Sequence, residues 1–140
     1  MAGYWKLDEG SGTTAADASG SGNTATLINS PSWTAGETGS ALNFVAGGKG
    51  YVSASGAGSL ANLFTHGMSV SVWIKPRSAG GGNAGRIIDK DNNDGGWFLA
   101  MSGTTGIRFA VDTFPTVSPS RVSGAAIRLN TCPCRAANGN

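Results

Sequence analysis

Aromatic and polar side chains of the kinds that contact sugars occur at several points in the chain. A pyranose ring has an apolar face on which an aromatic ring can stack, and its hydroxyl groups hydrogen-bond to amides, carboxylates and guanidinium groups. The residues predicted to contact such a ligand are Trp33, Arg86, Asn92, Asn93, Asp94 and Trp97. Trp33 follows Pro31 in a loop-like stretch, which favours it as an exposed stacking platform. Tyr51 and Trp73 are further candidates, Trp5 is expected in the core, and core packing is the alternative for every aromatic residue.

A glycine-rich turn lies between Asp17 and Asn23. Carboxylate, amide and carbonyl oxygens gathered by a turn are the ligands that calcium prefers, and a calcium ion takes about six to eight of them. Two hypotheses remain open. Asp17 and Asn23 either contribute to a structural calcium site, or they supply the side-chain hydrogen bonds that hold the turn.

Catalytic chemistry has little support, and no catalytic residue is assigned. Glycoside hydrolysis uses two carboxylates about 5 to 10 Å apart, but Asp8 and Glu9 are adjacent, so an extended backbone sends them to opposite faces. His66, the only histidine, lies in a Thr-His-Gly turn without a nucleophile elbow. Cys132 and Cys134 are too close for an unstrained disulfide, and with one histidine they are too few for a structural zinc.

The composition indicates one turn-rich β-domain. Of 140 residues, 23 are glycine, 39% are apolar and only 13% are charged. The net charge of +2 comes from 10 basic and 8 acidic residues spread along the chain, so no basic stripe favours nucleic acid or an anionic membrane as a partner. No apolar window approaches the roughly 18 residues of a membrane helix, and residues 1–8 lack the pattern of a secretion signal.

Short apolar segments between Gly, Ser, Asn and Pro clusters have the length of strands. Nine are predicted: Gly3–Leu7, Thr24–Ile28, Ala41–Val45, Tyr51–Ala54, Met68–Lys75, Arg86–Lys90, Trp97–Met101, Ile107–Asp112 and Ala126–Leu129. Glycines around residues 95–96 and 103–106 predict a hairpin. One or two helical turns are expected within Ser59–Phe64. Ser78–Gly85 has the composition of a linker, but strand patterns on both sides favour a loop within one domain.

Several segments carry a family resemblance: YWKLDEGSG at residues 4–12, DASGSGN at 17–23, GSALNF at 39–44, MSVSVWIKP at 68–76 and RIIDK at 86–90. In this order they resemble the laminin G-like, concanavalin A-like jelly-roll family. The resemblance implies an all-β, two-sheet antiparallel jelly-roll sandwich over residues 1–129. It also implies a structural calcium near the Asp17 turn and a role in carbohydrate recognition or adhesion, as in modules of secreted bacterial enzymes and surface proteins.

A noncatalytic, extracellular carbohydrate-binding module is therefore the leading hypothesis. A small polysaccharide hydrolase or lyase is one alternative, although the Glu-x-Asp-x-x-Glu motif of similar glucanases is absent from the sequence. A protein-binding adhesion module is the other.

The resemblance ends at Asn130. Residues 130–140 read NTCPCRAANGN where similar domains continue with further strands, so these residues are interpreted as a divergent tail. A sheet that lacks its last strands has an open edge, and open edges pair with other chains. We therefore expect a homodimer or a higher assembly.

Overall fold

The computed structural model describes residues 1–54, 58–61, 63, 67–91 and 96–112. These residues form eight strands: β1 (Thr14–Ala15), β2 (Ala25–Ile28), β3 (Ser32–Ala35), β4 (Ser40–Asn43), β5 (Tyr51–Ser53), β6 (Arg86–Asp91), β7 (Gly96–Ser102) and β8 (Gly106–Asp112). All strand pairings are antiparallel. The described helical structure consists of 3₁₀ turns at Gly58–Leu60 and Gly81–Asn83. The all-β prediction is confirmed, and none of the described residues forms a helix long and apolar enough to cross a bilayer.

The N-terminal strands surround a small core. β1, β2 and β5 form one sheet, and β3 and β4 form a hairpin. The alternation in β2 turns Ala25 and Leu27 inward, where they form a buried cluster with Ala15. The partly buried residues that pack on this cluster are Trp5, Leu7, Trp33, Leu42, Val52 and Ala54. The expected core position of Trp5 is confirmed.

The second three-stranded sheet has β7 at its centre, between β6 and β8. β7 and β8 pair continuously from Gly96 opposite Asp112 to Ser102 opposite Gly106. The connection of residues 103–105 begins with Gly103 at a φ of 65°, a left-handed conformation that glycine adopts without a steric penalty. The predicted hairpin is confirmed.

A β-bulge interrupts the pairing of β6 with β7. Arg86 lies opposite Ala100, and Ile88 lies opposite Leu99, so β6 advances two residues where β7 advances one. Arg86 and Asp89 are three positions apart, so in a regular strand they would lie on opposite faces. The bulge restores them to one face of the sheet.

The glycine-rich segment before β6 is an ordered loop. The N–H of Gly85 donates to the carbonyl of Ala79, and the N–H of Met101 donates to the carbonyl of Gly85. A Cβ added at Gly80 would lie 2.5 Å from the Cα of Gly85, so the close approach of the two backbones requires glycine. Ser78–Gly85 therefore forms a loop that contacts β7, and its placement within a single domain stays a prediction.

Two predicted strands are wrong. Gly3–Leu7 contributes only one isolated bridge, between Trp5 and Asp17. Residues 68–75 are described without strand structure. Their alternation is suited to a strand, but a strand requires a neighbouring ladder, and no described residue supplies one.

Several predictions fall outside the described residues. These are the Ala126–Leu129 strand, the domain boundary at residue 129, the 130–140 tail, the turn position of His66, and the ligand contacts of Asn92, Asn93 and Asp94.

Self-association stays a prediction, and the segment 68–74 offers a way to test it. This segment carries no charge, and Val70, Val72, Trp73 and Ile74 are exposed. Uncharged, exposed sequence with high β-propensity favours pairing between chains. We expect light scattering at micromolar concentration to show a dimer or larger species, and Val72→Lys to reduce its mass toward that of the monomer. Val45→Lys places the same charge on an exposed valine elsewhere and should leave the mass unchanged. A monomeric wild-type chain would contradict the prediction.

Candidate functional site

Four side chains form a cluster on one face of the β6–β7–β8 sheet: Arg86, Asp89, Phe98 and Arg108. We call this set the arginine face. Ala100 on β7 lies opposite both Arg86 and Arg108, and Phe98 lies two residues earlier, opposite Asp89. Alternate residues of a strand share a face, so the ladder and the bulge together bring the four side chains to the same side.

Two guanidinium groups contact the ring of Phe98. The guanidinium carbon of Arg86 is 3.4 Å from the ring centroid, and that of Arg108 is 4.9 Å from it. Phe98 is only 4% exposed, so the arginines cover an aromatic residue that would otherwise meet water. Each cation–π contact is worth about 0.5–1 kcal/mol at an exposed site. The ring therefore holds both guanidinium groups at defined positions.

Arg86 also has an acidic neighbour. Its Nε is 3.6 Å from Oδ2 of Asp89, and each of the two side chains is 43% exposed. Within the described part of the chain, no carboxylate forms an ion pair with Arg108. The arginine face as defined thus holds two positive charges and one negative charge. Its chemistry is that of an array of N–H donors with a single carboxylate acceptor.

The opposite face of the sheet is apolar. Trp97 is 5% exposed, and its ring centroid is 6.0 Å from that of Phe109 at an interplanar angle of 40°. Leu99 and Met101 follow on the same side of β7. Trp97 is therefore packed in the core, which was the alternative to a ligand contact, and its buried ring is not available for stacking on a sugar. Arg86 and Trp97, both predicted ligand contacts, lie on opposite faces.

Arg86 and Asp91 lie at opposite ends of β6. Arg86 begins β6, whereas Asp91, the residue before Asn92, ends it. Five residues of strand span about 16 Å. The ligand contacts predicted for Asn92, Asn93 and Asp94 lie outside the described residues and stay a prediction.

Trp33 lies in β3, opposite Leu42, and not in a loop. Its Nε1 donates to the carbonyl of Gly12 at 2.9 Å, and its half-buried ring packs on the N-terminal cluster. Trp73 is the more exposed of the candidate aromatic residues at 75%, followed by Tyr51 at 52%.

The turn between Asp17 and Asn23 is built on the Asp17 carboxylate. Oδ1 accepts the backbone N–H groups of Tyr4 and Ser19, and Oδ2 accepts that of Asn23, each at 2.9 Å. Hydrogen bonding from the Ser19 side chain, and from the backbone N–H groups of Ser19, Tyr4 and Asn23, holds the pKa of Asp17 well below its usual range.

Asn23 is a buried hub, 5% exposed. Its Nδ2 donates to the carbonyl of Ala2 and to Oγ of Ser59, both at 2.7 Å. Its own carbonyl accepts the Nε1 hydrogen of Trp5 at 2.8 Å. One side chain and one peptide unit thus join the N-terminus, the Trp5 ring and the 3₁₀ turn at Gly58–Leu60.

These contacts match the turn hypothesis for Asp17 and Asn23. The carboxylate is engaged by three N–H groups, and the described residues hold no group of three His, Cys, Asp or Glu side chains that could bind a metal. The two residues do not by themselves fit a calcium centre, which needs about six to eight oxygens. Calcium binding stays a prediction.

Comparison with known proteins places the chain in a family. Residues 46–132 match the family model described as the concanavalin A-like lectin/glucanases superfamily. The chain belongs to this superfamily. The predicted resemblance and the fold class are thereby confirmed. No curated protein and no solved structure shows significant similarity to the chain.

The superfamily match separates the two clusters of this concanavalin A-like domain. All four residues of the arginine face lie inside the matched range, whereas Asp17, Asn23 and Trp33 precede it. The arginine face is therefore the candidate site.

Three of its four members were missing from the predicted ligand contacts. The alternation of Ile107, Phe109 and Val111 with Arg108 places Arg108 on the polar side of β8, and this signal could have found it. No sequence signal identifies the bulge that adds Asp89.

The buried amide of Asn23 provides a test of the hub. Asn23→Asp keeps the shape but replaces the Nδ2 donor, so the Ala2 carbonyl and the Ser59 hydroxyl lose the amide and keep only their hydrogen bond to each other. We expect a loss of about 1–3 kcal/mol in the free energy of unfolding, measured in denaturant. Asn29→Asp is the matched control, because Asn29 is exposed and donates one hydrogen bond, to the Lys49 carbonyl. The control should change stability by about 0.5 kcal/mol or less. Equal effects of the two variants would contradict the role of Asn23.

The Asp17 carboxylate predicts a pH-dependent contribution to stability. A pKa that is lower in the folded than in the unfolded state stabilises the fold above the unfolded value of about 3.9, and the contribution fades as the pH falls below it. Asp17→Asn puts an amide N–H₂ where N–H groups need an acceptor, so it should lower the unfolding midpoint at neutral pH. The difference from wild type should shrink as the pH is lowered from 4 to 3, as followed by thermal unfolding. A difference that stays constant over this range would show that the charge of Asp17 is not involved.

Proposed function

We propose that this domain is a noncatalytic carbohydrate-binding module that uses its arginine face. The observation that carries the proposal is the placement of two guanidinium groups and a carboxylate around Phe98 on one exposed sheet face, inside the range that matches a lectin and glucanase superfamily. Guanidinium groups donate to sugar oxygens, and a carboxylate accepts from sugar hydroxyls. Both kinds of partner are present within one cluster.

Hydrogen bonding is the principal mode of recognition in this proposal. Phe98 is buried beneath the arginines, so its ring supports the donors and does not stack on the sugar. A ring-supported guanidinium loses little freedom when it binds, which lowers the entropic cost of each hydrogen bond. Stacking was expected at Trp33 or Trp97, and neither belongs to this face.

A noncatalytic role is part of the proposal, and the described carboxylates of the cluster support it. Hydrolysis of a glycosidic bond requires an acid and a second carboxylate, as base or nucleophile. The arginine face as defined supplies one described carboxylate, that of Asp89.

The proposal includes an extracellular location, where polysaccharides would be accessible to a carbohydrate-binding module. An open sheet face with half-exposed donors favours affinities in the millimolar to micromolar range, about −4 to −8 kcal/mol.

A glycan array and a reducing-sugar assay on the same preparation test the proposal. We expect binding to at least one polysaccharide without release of reducing ends, and weaker binding by Asp89→Asn, which loses the acceptor and the partner of Arg86. Asp8→Asn is the matched control, because Asp8 is exposed and precedes the matched range. Release of reducing sugar that Asp89→Asn abolishes would identify a hydrolase instead. A silent array would remove the carbohydrate function and favour a protein-binding adhesion module.

A further inference from the structure

The arginine face holds like charges close together. Arg86 and Arg108 come from strands on either side of β7 and contact the same phenyl ring. Two cations that converge in this way repel each other. Asp89 compensates Arg86 at 3.6 Å, and among the described residues no second carboxylate does the same for Arg108. The four side chains of the cluster therefore carry one net positive charge.

The geometry of a guanidinium group determines which kind of ligand anion it could bind. A guanidinium that stacks on a ring uses its planar face, so its N–H donors project from its edge, in its own plane. These edge donors match the two oxygens of a carboxylate in a bidentate arrangement, and charge-assisted hydrogen bonds of this kind are about twice as strong as neutral ones. The Phe98 ring holds the two guanidinium carbons 3.4 and 4.9 Å from its centroid, so one planar anion could contact donors of both arginines.

We propose that the arginine face selects glycans that contain uronic acid, with the sugar carboxylate bound by Arg108 and Arg86. This inference rests on the proposed carbohydrate function and specifies its ligand class. Asp89 has a positioning role, because its contact with Arg86 holds that guanidinium in the cluster. Arg108, which has no such ion pair among the described residues, is the principal contact. Neutral sugars satisfy the donors with hydroxyl oxygens but leave the charge uncompensated.

A ligand-binding role of Arg108 can be distinguished from a structural role in which it only shields Phe98. If Arg108 only shielded the ring, its replacement by glutamine would lower stability and leave ligand selectivity unchanged. If it binds the carboxylate, Arg108→Gln relieves the repulsion from Arg86 in the free protein and abolishes the preference for the acidic sugar. Arg108→Lys keeps the charge but loses the planar fork, so it should retain only part of the preference.

The test compares polygalacturonate with the same polymer after reduction of its carboxyl groups, by calorimetry on the full 140-residue chain. We expect the acidic polymer to bind about tenfold or more tightly, in line with a charge-assisted hydrogen bond, and its affinity to fall with added salt. Arg86→Gln and Arg108→Gln should remove this difference. Arg77→Gln is the matched control, because Arg77 is exposed and lies outside the sheet, and it should preserve the difference.

The outcomes separate the two proposals. Equal binding of the two polymers, or binding of a sulfated neutral polysaccharide but not of polygalacturonate, would overturn the preference for uronic acid and leave carbohydrate binding standing. A preference that survives Arg108→Gln would place the selectivity elsewhere and overturn the assignment to this face. Failure to bind either polymer or any glycan on the array would overturn both proposals.

Discussion

The N-terminal half of the domain depends on satisfying one buried polar side chain. A buried amide without partners is costly. The Asn23 amide donates to Ala2 and Ser59, and the Asn23 backbone bonds to Trp5 and Asp17, so this residue joins three separate parts of the chain. The apolar cluster beside it is built on only Ala15, Ala25 and Leu27. Because so small a core contributes little by area, directional hydrogen bonds must position the first residues, which lack a continuous strand ladder.

A different constraint governs the second sheet, whose central strand is covered on both faces. Trp97 and Met101 are buried on the apolar side, and Phe98 and Ala100 are buried on the other. Two arginine side chains contact the Phe98 ring, and their guanidinium groups gain this contact and keep access to water. The bulge in β6 makes this possible, because it turns Arg86 and Asp89 to the same face. A structural need to shield an aromatic ring thus produces an ordered array of donors.

The sequence predicted local structure better than it predicted neighbours. The segments that became β2, β4, β5, β6, β7 and β8 were recognised from their alternation and flanking glycines. β1 and β3 were missed, since Thr14–Ala15 is too short to show a period and Trp33 follows a proline. Residues 68–75 alternate as well as any strand, but alternation reports only what a segment could bury, not which ladder it joins. The prediction of the site was limited for the same reason. Arg86 was identified, but its partners depend on register and on a bulge, neither of which leaves a sequence signature.

The Asp17–Asn23 hub and the arginine face are separate in sequence, and we expect their contributions to stability to be independent. No contact joins the described Asp17–Asn23 hub to the arginine face, and substitutions at independent sites have additive effects on stability. The hub can therefore be altered to change the stability of the N-terminal half without changing which ligand is bound. The arginine face can in turn be altered to change selectivity with little loss of stability, because the side chains of Arg86, Asp89 and Arg108 are exposed.

Such a face binds each sugar weakly, but a polymer presents the same group many times, and repeated low-affinity contacts add up to useful avidity when binding sites are linked. Self-association of the chain would supply that linkage, so assembly and recognition of a repeating polysaccharide would strengthen each other.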